Sequence, residues 1–89
     1  MQRQRSRTQV QQEQAQYAVS RAIGKLIEEQ GEFSQRAVRQ RLAPVHDQYQ
    51  DYMGSSARDF LLAQADRYLK EHGYEYRNLG TVRHWTRRE

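Results

Sequence analysis

The side chains in this sequence best suited to recognition chemistry are its arginines, and they are unevenly placed. A guanidinium is planar and permanently charged, so it can clamp a phosphate or the edge of a guanine with two parallel hydrogen bonds. Arg3, Arg5 and Arg7 fall within residues 1–8 with no acid among them, a charge of +3. Arg77, Arg83, Arg87 and Arg88 fall within residues 77–89 against Glu89 alone, again +3. Residues 9–76 carry −2, so the formal total of +4 and the pI near 9.8 come from the two ends. A polyanion such as DNA would be drawn to those ends, with an affinity that falls as salt rises, because binding releases counterions. The plainer reading is that charged ends keep a small protein in solution, and charge alone does not choose between them.

Other constellations argue against catalysis. There is no cysteine, which excludes a disulfide scaffold, a thiolate nucleophile and a cysteine-based zinc site. His46, His72 and His84 are scattered, with no pair at ligand spacing. Asp47 and Asp51 lie four apart, a spacing commonplace on exposed helices, and no glycine-rich phosphate loop or nucleophile motif is present. The expectation is a protein that is not an enzyme and needs no metal or cofactor. Tyr49, Tyr52, Tyr68, Tyr74, Tyr76 and Trp85 can in principle stack on bases, but they read better as core or interface aromatics. No apolar run approaches the roughly 20 residues that span a bilayer, and "MQRQRSRT" lacks the apolar core of a secretory signal. A cytoplasmic protein without membrane contact is expected.

The elements that must position the arginines follow from periodicity. With 89 residues, 36% of them hydrophobic, the chain can build one core of marginal stability unless a second copy covers apolar surface, so a homodimer is expected. Residues 1–14 are rich in Gln and Arg with Val10 as the one large apolar side chain, and read as a basic arm, helical at most near its end. The domain proper spans 15–89. From Ala15, apolar residues at helical spacing through Ala18, Val19, Ala22, Ile23, Leu26 and Ile27 predict an amphipathic helix that stops at Gly31. Gly24 weakens its interior and suggests close packing or nothing in particular. Ser34 reads as an N-cap, with Phe33 stapled onto Val38, for a short second helix to about Leu42. Its outer face, Gln35, Arg36, Arg39 and Gln40, has no acid.

Pro44 then opens either a separate helical turn, with Val45, Tyr49, Tyr52 and Met53 inward, or a loop. Ser56 and Asp59 form a capping box for a helix whose buried stripe is Ala57, Leu61, Leu62, Ala65, Tyr68 and Leu69. Residues 74–77 and 81–86 are β-favouring runs joined by "NLG", a three-residue hairpin loop. Val82 and Trp85 have opposite parity, so either a bulge intervenes or one of them is exposed. A lone hairpin is marginal in water, and residues around Glu32 and Phe33 are positioned in sequence to add a third strand.

Helix, short extended turn, helix, helix and β-hairpin is the element order of the winged helix-turn-helix superfamily. Here "GEFSQRAVRQRL", "SSARDFLLAQADRYLKEHGYEYR" and "LGTVRHW" resemble its second helix, third helix and wing, over roughly residues 15–87. The resemblance implies an α+β, mostly helical fold with three to four helices before a C-terminal hairpin. It also implies double-stranded DNA as partner, bound by sequence or structural bias, for a small transcriptional regulator or a mobile-element maintenance protein. By position, Ser55, Ser56, Arg58 and Asp59 would meet the major groove, Arg77, Asn78 and Arg83 of the wing would lie on backbone or in a minor groove, and Arg36 and Arg39 would flank them. The alternative reader is the second helix itself, through its acid-free face. Arg3, Arg5 and Arg7 form an arm of the kind that enters a narrow minor groove. The rival class is a helical protein-interaction adaptor, using the helix ending at Gly31 and the tyrosines around Tyr49; the acidic stretches "EEQGE" and "HDQYQD" fit that better. One positive face joining Arg36, Arg58, Arg77 and Arg83 would favour DNA.

Overall fold

Small and apolar side chains between Ala15 and Ile27 bury one stripe of the first helix, with Ala15, Val19, Ile23 and Leu26 fully inside. In the computed structural model, which describes residues 7–53 and 56–88, this helix is α1 (Arg7–Gln30) and starts eight residues before the apolar pattern does. Gln and Glu are good helix formers, so a helix nucleated by the buried stripe extends backwards at little cost. It ends at Gly31, whose φ of 75° only glycine adopts without strain, and whose N–H bonds the Ile27 carbonyl at 2.9 Å.

β1 (Phe33–Ser34) follows and leads directly into α2 (Gln35–Met53). Ser34 caps α2 as expected: its hydroxyl accepts the Ala37 N–H at 3.1 Å. Phe33 and Val38 are both buried, in keeping with the staple. The expected stop near Leu42 is corrected, because α2 runs unbroken through Pro44. The physical reason is that Val38, Leu42, Val45 and Tyr49 fall at spacings of four, three and four, a single stripe that is buried along its whole length. Pro44 sits on the exposed side, where water can satisfy the carbonyl its ring leaves unpaired. The side chains of Tyr52 and Met53 lie outside the described residues.

α3 (Ala57–Glu71) begins without the predicted capping box. Ser56 is itself in the helical region, at φ −86° and ψ −3°, and makes no side-chain cap bond. Ala57, Leu61, Ala65 and Leu69 are buried, with Leu62 and Tyr68 packed at the margin of the core. His72 closes the helix: its backbone N–H and its Nδ1 both reach the Tyr68 carbonyl, and its ring stacks on Tyr68 at 3.9 Å.

The hairpin is β2 (Tyr74–Leu79) and β3 (Val82–Arg87), joined by two residues, Gly80 and Thr81, rather than three. Gly80 has φ 68° and no non-glycine residue among those described has positive φ, the pattern of a turn with glycine at its first central position. The third strand is where the sequence suggested it. β1 pairs antiparallel with β3, Phe33 opposite Trp85 and Ser34 opposite His84, giving the order β1-β3-β2. The β2–β3 register runs without a bulge, so the parity conflict resolves by exposure: Trp85 is 2% exposed and Val82 48%. The molecule is α+β, three helices and a small sheet, and its layout is compatible with a winged helix. No helix among the described residues is long and apolar enough to cross a membrane.

Gly24 marks a tight approach of α3 to α1, since a Cβ there would sit 3.3 Å from the Tyr68 hydroxyl. Both this contact and the proline in α2 can be tested by stability. Pro44→Ala returns the missing N–H to α2 and is expected to raise stability by about 1–3 kcal/mol; a fall in the urea midpoint would show that the ring's restriction of the unfolded chain outweighs its damage to the helix. Gly24→Ala should be more stabilising in a Tyr68→Phe background than in the native one, by up to about 1 kcal/mol. Equal effects in both backgrounds, measured by denaturation of the four proteins, would contradict the hydroxyl contact.

Candidate nucleic-acid interface

The wing is fixed from its base. Trp85, the single tryptophan, donates its Nε1–H to Gln35 Oε1 at 2.6 Å, and Tyr76 packs on it with ring centroids 4.9 Å apart. Phe33 packs on Tyr74 at 5.5 Å, and the Tyr74 hydroxyl donates to the Gly31 carbonyl. At the open end, the Arg87 N–H donates to Glu32 Oε2 at 2.8 Å and the Arg88 N–H to the Gly73 carbonyl at 2.7 Å. The Arg87 guanidinium donates to the Tyr74 hydroxyl at 3.4 Å, and that bond raises its pKa further. Arg87 and Arg88, counted in the basic C-terminal end, are therefore largely structural.

So anchored, the hairpin holds its tip beside the first turns of α2. Ser34, Gln35, Arg36 and Arg39 form one wall of a concavity whose other wall is Thr81, Val82 and Arg83. Arg39 also lines the neighbouring groove between α2 and α3, together with Arg58, Leu42 and Leu61. Arg83, Arg36, Arg39 and Arg58 thus border two adjoining depressions that share Arg39. All four are exposed. The first turn of α2 contains no acid, so the positive end of the helix dipole adds to theirs.

Ion pairing separates these four from Arg41, Arg67, Lys70 and Arg77, half of the other cations whose side chains are described. Arg41 is bonded to Glu29, Arg67 to Glu71, Lys70 to Asp66 and Arg77 to Glu75, and Arg21 lies over the Tyr17 ring at 5.9 Å. Among the described residues, Arg36, Arg39, Arg58 and Arg83 have no ion-pair partner. Their charge is available to a ligand.

The other candidates fall as follows. Asn78 is the cross-strand partner of Arg83, exposed and on the same side of the sheet. Arg77 pairs with His84 and so points to the opposite side, where Glu75 holds it. Parity carried that signal, since Arg83 is two residues from Trp85 while Arg77 is one residue from Tyr76, the partner of Trp85. Ser56 and Asp59 are exposed at the start of α3. Arg3, Arg5 and Ser55 lie outside the described residues; Arg7 opens α1 and its side chain is likewise outside them. Gln35 has a role that the acid-free face of α2 did not reveal, because its carbonyl oxygen is taken by Trp85. Among the described residues no three His, Cys, Asp or Glu side chains are grouped to hold a metal ion.

Gln35→Ala strips the indole of its acceptor in a half-buried position, so a loss of about 1–2 kcal/mol is expected, read from urea unfolding monitored by Trp85 fluorescence. An unchanged midpoint would mean that water replaces the bond. Comparison with protein-family models, with curated proteins and with solved structures finds no match for the chain.

Proposed function

We propose that this protein binds double-stranded DNA through the face bordered by Arg83, Arg36, Arg39 and Arg58. It acts in the cytoplasm as a small regulator of transcription or of a mobile element's maintenance, and not as an enzyme. The observation that carries the reading is the convergence of four exposed arginines without ion-pair partners, while at least four other cations are neutralised by neighbouring carboxylates. A protein selected only for solubility has no reason to sort its cations in this way.

In mechanism, the first turns of α2 and the tip of the wing hold the phosphate backbone from two sides. Arg36, Arg39 and Arg83 supply the charge, and Asn78 beside Arg83 supplies a neutral donor and acceptor. Arg58, in the first turn of α3, is the side chain of this group best suited to reach a base edge, where guanine offers it two acceptors. The remainder of α3 stays off the duplex, because its outer face is already neutralised by the Lys70–Asp66 and Arg67–Glu71 pairs. Regulation then follows from occupancy, a bound domain excluding or recruiting other proteins at its site.

Four phosphate or groove contacts imply a plot of log affinity against log salt with a slope of roughly −3 to −4. Fluorescence anisotropy with duplex DNA at several salt concentrations measures it. An Arg36→Ala, Arg39→Ala, Arg83→Ala variant should lose about 100-fold or more at low salt and flatten the slope by about 3. Arg77→Ala, on the other side of the sheet and paired with Glu75, should change affinity less than about twofold. Absence of salt-sensitive binding, or equal binding by the triple variant, would overturn the proposal.

A further inference from the structure

The groove between α2 and α3 is lined differently from the concavity beside the wing. Around Arg36, Arg39 and Arg83, that concavity offers hydroxyl and amide groups from Ser34, Gln35 and Thr81, with Val82 its one apolar side chain among the described residues. The α2–α3 groove offers carbon instead. Buried Leu42 and Leu61 form its floor, and half-buried Leu62 and exposed Ala43 its walls. Arg39 of α2 and Arg58 in the first turn of α3 border it, both exposed and, among the described residues, without an ion-pair partner. The groove encloses about 270 Å³, just under the roughly 300–1,000 Å³ of small-molecule sites, which are likewise mostly apolar with a few placed polar groups.

A DNA phosphate would satisfy these two guanidinium groups and leave the apolar floor in water. A ligand that uses both must join a negative charge to a small apolar body. A carboxylate suits the site better than a phosphate monoester: its two oxygens match the guanidinium fork, and a single charge costs less to withdraw from water than a double one. Asp47 also borders the groove, with its carboxylate 3.8 Å from His46 Nδ1. Its side chain is 79% exposed, so it keeps its water, and its charge turns a bound carboxylate toward the arginines. We infer that the α2–α3 groove binds a small aryl or alkyl carboxylate, with the charge on Arg39 and Arg58 and the apolar body on Leu42, Leu61 and Leu62.

The regulatory consequence rests on the DNA reading. Carboxylate and duplex claim the same two arginines, so each weakens the binding of the other. The protein would release its DNA as such an acid accumulates.

Methyl NMR of the full chain, titrated with phenylbutyrate, reads the groove without DNA. The Leu42, Leu61 and Leu62 methyl signals are expected to shift saturably, with a Kd of about 0.1–3 mM for a ligand of this size. Phenylbutanol, which keeps the body, and acetate, which keeps the charge, should each bind about tenfold or more weakly, as should phenylbutyrate to an Arg39→Ala, Arg58→Ala variant. Ala43→Phe fills the groove with the protein's own ring and should abolish the shifts; circular dichroism melts establish that both variants fold. The absence of a saturable shift overturns the inference, as does equal binding by phenylbutanol or by the arginine variant. In DNA anisotropy at constant ionic strength, saturating phenylbutyrate should weaken duplex binding about fivefold or more in the wild type and leave Ala43→Phe unaffected. Wild-type binding that ignores phenylbutyrate overturns the competition. A protein that binds no duplex overturns the DNA reading, and the methyl titration still decides the groove.

Discussion

Everything in this small fold depends on two residues, Phe33 and Ser34. Phe33 is buried between the end of α1 and the start of α2, packs on Tyr74 and pairs in the sheet with Trp85. Ser34 pairs with His84 and at the same time caps α2. A two-stranded hairpin alone is marginal in water, and here it gains a third strand, an aromatic floor and the Gln35 bond to Trp85 from one short segment. The same segment fixes the direction in which α2 leaves. Wing and helix are therefore positioned by a shared anchor, and their relative geometry does not depend on the hairpin's own stability.

That anchor explains why the wing arginines behave differently. On a strand pinned by Trp85, alternation leaves no choice: side chains in step with Trp85 face the helices, and their neighbours face away. Arg83 is two residues from Trp85 and leans toward α2, whereas Arg77 is opposite His84 and joins Glu75. Two arginines of one wing thus meet different fates, one presented beside the arginines of α2 and one neutralised. The surface potential is set by pairing as much as by composition, which is why a modest net charge of +4 is compatible with a concentrated basic face.

Much of this was legible in the sequence, and the failures have physical causes. The stripes of α1 and α3, the Ser34 cap, the Phe33 staple and the hairpin with its third strand are each signalled by residue type at a fixed spacing. Pro44 misleads because the local rule for proline ignores the stripe on either side; Val38, Leu42, Val45 and Tyr49 bury enough surface to carry the helix past it. The early start of α1 is hidden because Gln and Glu continue a helix without any apolar signature. Gly80 is the left-handed turn residue that its type implied, but loop length depends on register, which Trp85 fixes through contacts distant in sequence. For the candidate site, the arginines are visible singly. Which of them are left without partners is not, since that depends on carboxylates brought near by tertiary structure, as Glu29 is to Arg41.

The continuity of α2 has a further mechanical consequence. Its first turns stand beside the wing tip and carry Arg36 and Arg39; near its other end Tyr49 packs into the core and, with Gln48, borders the N-terminal half of α1. If the chain broke at Pro44, as the proline taken alone would suggest, these two regions would belong to separate elements able to move against each other. An unbroken helix, held by one buried stripe, makes them a rigid unit. The cost of a proline inside it, on the order of 3 kcal/mol in an unconstrained helix, is offset by burial on the opposite side. The distance between the basic face and the N-terminal half of α1 is then fixed by the backbone of one continuous helix.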